Sequence, residues 1–229
     1  MRKIDYDSGF KKQILKNIED VRKHIDDDDM NTKIQNYCKR YDLPYMFIKR
    51  KILFDNIFAL YFAKDPSKQS FHQQCAANFI KEIPKVENFQ VLPANGKNAV
   101  FVINGEIKLK EEAGQKQETK ETKSIDFFWN VITQSGKEIT FYAAHKYTDQ
   151  EGGAQDNQYN DLKLFMKHGR QFKDDNVYFL AIGDGPFYLR SNTQGVKRID
   201  AMNELYGNEH CKALTSNDIE TFIEKIYAS

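Results

Sequence analysis

Asp126 and Lys146 are ionisable residues enclosed by apolar neighbours. Asp126 sits in Ser124-Ile125-Asp126-Phe127-Phe128-Trp129, and Lys146 comes late in Phe141-Tyr142-Ala143-Ala144-His145-Lys146-Tyr147. A carboxylate or an ammonium set into such a strand costs free energy unless it meets its opposite charge, a metal or a polyanion. A carboxylate that can hold a divalent cation, close to an ammonium that can steady water or phosphate, suggests metal-dependent phosphodiester chemistry.

The elements that must carry these two groups follow from the local pattern. Ile125 to Ile132 and Ile139 to Tyr147 are rich in aromatic and β-branched residues, and Gln134-Ser135-Gly136-Lys137 between them is turn chemistry. The stretch predicts a hairpin. Side chains alternate along its second strand, with Thr140, Tyr142, Ala144 and Lys146 on one face and Ile139, Phe141, Ala143, His145 and Tyr147 on the other. Gly152-Gly153 breaks the chain and an amphipathic helix follows, on which Gln155, Gln158 and Tyr159 lie within a turn of one another.

An aspartate on one strand, a lysine near the end of the next and a helix directly after them resemble the PD-(D/E)xK nuclease superfamily, in particular its type II restriction endonucleases. The Gln155 to Tyr159 spacing is similar to a Q-x-x-x-Y motif of the exonuclease branch. The motifs cover about 45 residues and are short and degenerate. The resemblance implies an α/β fold, a mixed central β-sheet flanked by helices. It also implies Mg2+ as cofactor and double-stranded DNA as substrate, cut at a short specific site, with Asp126 as a metal ligand and Lys146 orienting or activating the attacking water. Gln155 would be a further catalytic residue, and Gln158, Tyr159, Lys123 and Asn157 would position the substrate or contact DNA. A homodimer is expected from the symmetry of duplex targets. A cognate DNA methyltransferase is expected as a genetic rather than a physical partner.

One position departs from the family pattern. Ala144 stands where an acid is expected, two residues before the lysine. Three accounts remain open. The second carboxylate has moved to Glu151, Asp156 or Glu82 on an earlier helix, with the main-chain carbonyl beside Ala144 filling a coordination position; or position 144 carries an inactivating substitution; or the fold no longer cuts. The last account makes the chain a DNA-binding or structural module in which Asp126 and Lys146 form a buried ion pair.

Composition bounds these readings. The chain has 229 residues, 40% of them hydrophobic, enough for a packed core without the linker composition of two separate domains. The expected division is a helical region over 1–85 and a core over 86–229. A net charge of +1 excludes a generic polyanion binder, so DNA contact needs local patches such as Lys33, Lys39, Arg40, Lys49, Arg50 and Lys51. Cys38, Cys75 and Cys211 show no zinc spacing and suit a reducing, cytoplasmic setting. The first residues lack an apolar leader core, and the most apolar window, Leu43 to Ala63, has charges in its middle, so no membrane span is expected.

The rest of the chain reads as helices over Phe10 to Ile25, with Ser8 as N-cap, then 31–41, 44–63 and 71–83. The third would have a broad buried face made by Phe47, Ile48, Ile52, Phe54, Ile57, Phe58, Tyr61 and Phe62. The aspartates of 26–29 would oppose the dipole of the first helix at its end. Strands are expected over 86–92, 99–109, 177–183 and 187–190. Lys110 to Lys123 has no apolar periodicity and reads as a charged loop. A last helix begins after Ser216. Gly183-Asp184-Gly185 and Leu53-Phe54-Asp55-Asn56 faintly resemble haloacid-dehalogenase-type phosphatase motifs, but Ile57 stands where a second acid is required.

Overall fold

The computed structural model describes residues 2–66, 70–111, 122–149 and 153–228, without the side chains of 153–155. The chain divides into two units, residues 5–72 and residues 1–4 with 73–229. The boundary falls inside a helix, near residue 73, instead of at 85.

The helical unit contains α1 (Tyr6–Lys23), α2 (Asp28–Tyr41), α3 (Tyr45–Phe54) and α4 (Asn56–Phe62). Ile18, Val21, Ile34, Ile48, Ile52 and Ala59 form its buried centre. Asp5, not Ser8, caps α1, accepting the Ser8 N–H at 2.9 Å. Asp27 is the N-cap of α2, with Asp28 and Asp29 in its first turn. The aspartate run therefore stabilises a helix start, where the dipole favours negative charge. The long helix expected over 44–63 breaks at Asp55, whose carboxylate accepts the N–H groups of Ile57 and Phe58 at 2.9 and 3.3 Å. Asp55 is thus a capping residue. The break turns apolar residues outward, and Phe54 and Ile57 are each 80% exposed where burial was expected.

The second unit is mixed α/β. After α5 (Phe71–Lys81) come β1 (Glu87–Val91), β2 (Val100–Ile103), β3 (Glu106–Leu109), β4 (Phe127–Ile132) and β5 (Glu138–Tyr147). The order continues with α6 (Gly153–Gly169), β6 (Val177–Asp184), α7 (Pro186–Leu189), α8 (Arg198–Tyr206), β7 (Cys211–Leu214) and α9 (Ser216–Tyr227). Five strands form one sheet in the order β1-β4-β5-β6-β7, antiparallel up to β5 and parallel from β5 to β7. Residues 99–109 do not form one strand: Asn104 and Gly105, at φ 50° and 78°, turn β2 back onto β3 as a separate ribbon. Gly105 has a second constraint, since a Cβ there would lie 2.6 Å from the Gln171 carbonyl oxygen. The strand expected over 187–190 is the short helix α7, started by Pro186 at its first turn.

Strand periodicity separates two apolar layers. Phe127, Trp129, Phe141, Ala143, Leu180 and Ile182 face α5 and α9, packing with Ala77, Ile80, Ile219 and Ile223. Ala144, Phe179 and Ala181 face α6 to α8, packing with Leu162, Phe165, Tyr188 and Met202. β6 is buried along its whole length, as its unbroken apolar run requires of a central parallel strand. Among the described residues, no helix is long and apolar enough to cross a membrane.

Candidate functional site

β4 and β5 set the register of the site. The last ladder pair at this end is Phe127 against Ala143, so Asp126 arrives alongside Ala144. Its main-chain N–H donates to the Ala143 carbonyl at 2.8 Å, and its Oδ2 accepts the His145 N–H at 2.8 Å. The carboxylate thereby takes the place of a ladder carbonyl, and the residue is only 2% exposed.

Successive main-chain groups alternate sides along a strand. Those of Ala143 and His145 point toward β4, and those of Ala144 point toward β6, where Ala144 lies opposite Ala181. The expectation that the Ala144 carbonyl fills a coordination position is corrected: the carbonyl on Asp126's side of β5 is that of His145. The Ala144 side chain itself is buried against the α6 layer.

The ion pair between Asp126 and Lys146 that the non-cutting account implies is not formed: the two side chains have different partners. Asp126 Oδ1 accepts from Lys123 Nζ at 2.8 Å, and Lys146 Nζ lies 2.7 Å from Asp161 Oδ2 on α6. Lys123 also donates to the Ser124 carbonyl at 2.9 Å and to the Ser124 hydroxyl at 3.0 Å. Neither Asp161 nor the Lys123 pairing was read from the sequence. An aspartate on a polar helix face carries no signal by itself, and the Lys123 to Asp126 spacing was there to be read.

The implied Mg2+ can be tested against this arrangement. No cluster of three or more His, Cys, Asp or Glu able to hold a metal occurs among the described residues. What is present is one rigid, buried carboxylate whose outer oxygen already faces a cation. Mg2+ is commonly held by one or two carboxylates, with water and phosphate oxygens completing the shell. The residues fit the ion in that limited sense, as a seat that substrate would complete.

The other expected residues disperse. Tyr159 packs against Phe187 and Tyr188, just after the end of β6; its hydroxyl donates to the Arg198 carbonyl at 3.1 Å, and burial pushes its pKa up. It ties α6 to the start of α8. Gln158 accepts from the Thr148 hydroxyl at 2.8 Å, next to the end of β5. Asn157 and Asp156 are exposed in the first turns of α6. Glu82 follows α5 with its side chain 75% exposed, and its partner is Arg2 at 3.9 Å, so it is not brought to Asp126. The side chain of Gln155 and all of Glu151 lie outside the described residues.

On the other face, His145 and Asp184 form a buried contact, Nε2 to Oδ2 at 3.0 Å. Asp184 also accepts the Ser216 N–H at 2.8 Å and the Ser216 hydroxyl at 2.5 Å. The His145 ring nitrogen and the Ser216 N–H and hydroxyl thus converge on one buried carboxyl group. The backbone of His145 holds Asp126 while its ring is tied to Asp184, so the network fixes the residue that fixes the carboxylate. Gly185, at φ 95°, lets the chain pass against the Thr148 carbonyl directly after β6, where any Cβ would collide.

The class that fold and site define is a mixed α/β protein with a polar cluster at the carboxyl end of its parallel strands. Comparison with known proteins adds no narrower assignment: no family model, curated protein or solved structure matches the chain.

Proposed function

We propose that the chain is a Mg2+-dependent endonuclease of restriction-endonuclease-like fold that hydrolyses phosphodiester bonds of double-stranded DNA. One observation carries the reading. Asp126 lies alongside position 144, Lys146 follows two residues later at the carboxyl end of β5, and α6 leaves that same end. The hairpin of β4 and β5 followed by α6 and β6 supports the reading, since a hairpin, then a helix, then a strand is the order expected of such a core. Ligands of open α/β sheets commonly bind outside the carboxyl ends of parallel strands, and β5 and β6 end together there, with Lys146 opposite Gly183.

In this reading Asp126, with the His145 carbonyl beside it, would hold Mg2+. The bound ion would neutralise charge on the scissile phosphate and acidify a water. Asp126 is held rigidly by the His145 N–H, which costs no reorganisation during the reaction. Lys146 donates its Nζ protons to water or phosphate, and Asp161 orients that ammonium until substrate arrives. A symmetric target would be met by a homodimer.

A second reading is a DNA-binding or structural module without cutting activity. It is favoured by the two complete ion pairs, Lys123 with Asp126 and Lys146 with Asp161, which satisfy both groups without a metal. Digestion of unmethylated phage DNA with and without Mg2+ decides between them. Discrete, Mg2+-dependent bands are expected from the chain itself. Asp126→Asn and Lys146→Ala should each cut at least about a hundredfold more slowly, the scale lost when groups acting on the transition state are removed. Undiminished cutting by either variant overturns the assignment, and no cutting by the unmodified chain favours the module.

A further inference from the structure

Three oxygens converge on the Lys123 ammonium: Asp126 Oδ1 at 2.8 Å, the Ser124 carbonyl at 2.9 Å and the Ser124 hydroxyl at 3.0 Å. Both side chains of the ion pair are largely buried, 14% exposed for Lys123 and 3% for Asp126. Ser124 is buried as well. Carboxylate, carbonyl and hydroxyl oxygens are the donor types a hard divalent cation takes, and three of them are part of a shell that water and phosphate oxygens would complete. A buried carboxylate must keep a counter-charge or lose its ionisation. The arrangement therefore has room for one cation at a time against Asp126 Oδ1, either the ammonium or a metal ion.

Resting on the nuclease reading, we propose that Lys123 is a built-in competitor for the divalent-cation seat, and that Ser124 is a ligand of that seat beside Asp126. With its own ammonium in place, the chain binds free divalent ion weakly and keeps Asp126 compensated. Phosphate oxygens offer Lys123 an alternative anion and complete the metal shell, so nucleic acid and metal load together. Lys123 changes partner without any bond being made or broken.

The test is a titration of the full chain with Mn2+ alone, followed by the electron paramagnetic resonance signal of the free ion, with no DNA present. Lys123→Met should bind one Mn2+ at least about tenfold more tightly than the unmodified chain, because the competing charge is gone. Lys123→Arg, which restores a cation, should return to weak binding. Asp126→Asn should abolish the gain in the Lys123→Met background, and Ser124→Ala should reduce it. Urea unfolding of each variant identifies any that fails to fold, and Lys123→Gln then serves as the second neutral replacement.

Equal or weaker Mn2+ binding by the neutral variants overturns the competitor role. If the unmodified chain still binds Mn2+ through Asp126 in that case, the nuclease reading stands. Absence of Mn2+ binding in every variant overturns the seat, and Mg2+-dependent cutting abolished by Asp126→Asn would then leave the nuclease reading standing without it.

Discussion

His145 and Lys146 are neighbours on β5 that face opposite sides of one sheet, and their polar partners differ in kind. His145 belongs to a sealed network in which His145, Asp184 and Ser216 are all buried and the Asp184 carboxyl group meets the His145 ring nitrogen and the Ser216 N–H and hydroxyl. Lys146 belongs to an open pair: its side chain is 22% exposed and that of Asp161 is 41% exposed. A sealed network cannot exchange partners without leaving a buried group unpaired, whereas an open pair can pass its charge to an incoming anion at little cost. The first is suited to hold a strand and the second to meet a ligand. Asp126 stands between them, buried like the former and compensated by an ammonium like the latter, that of Lys123.

The contrast breaks first at Asp184. Asp184→Ala strands the Ser216 N–H, the Ser216 hydroxyl and the His145 ring nitrogen together, and should cost about 3–5 kcal/mol of stability in urea unfolding. A loss below about 1 kcal/mol would mean that the network is not sealed.

Next in size is Ala144→Glu, the change that would restore the family acid. Ala144 has no exposed surface and packs with Leu162 and Phe165. A carboxylate there should therefore destabilise the fold by about 2–4 kcal/mol, as read from the unfolding midpoint. An unchanged midpoint would show that the open side reaches position 144 as well. Asp161→Asn should be the mildest, shifting stability by less than about 1 kcal/mol, because partly exposed ion pairs contribute little. A larger loss would place Lys146 with Asp161 among the structural pairs.

Much of the second unit was legible because its strands obey simple patterns. The hairpin of β4 and β5, the buried run of β6 and the helix after the glycines were all read from period and turn chemistry. The misreadings have separate physical causes. Asn104-Gly105 is a strong hairpin signal that was passed over within a continuous apolar run. β7, Cys211–Leu214, is a short strand that periodicity cannot distinguish from loop. The helix of 44–63 was overextended because Asp55 was read as a charge within a helix, and its carboxylate instead caps a new one. At the site, Asp126 and Lys146 stand out as costly residues, but the partners they take, Lys123 and Asp161, are not singled out by any local pattern.

By itself, the sequence determined that a carboxylate and an ammonium would enter the sheet on neighbouring strands, since apolar alternation and the turn between them leave little freedom of register. It also determined that neither would be left without compensation, because the cost of burying charge does not depend on the fold. Only the tertiary structure decided which groups supply that compensation. Lys123 reaches back to Asp126, Asp161 leans from α6 to Lys146, and Asp184 ties His145 to Ser216. Those choices rest on distances of about 3 Å between side chains from separate elements, and no local pattern of residues encodes such distances.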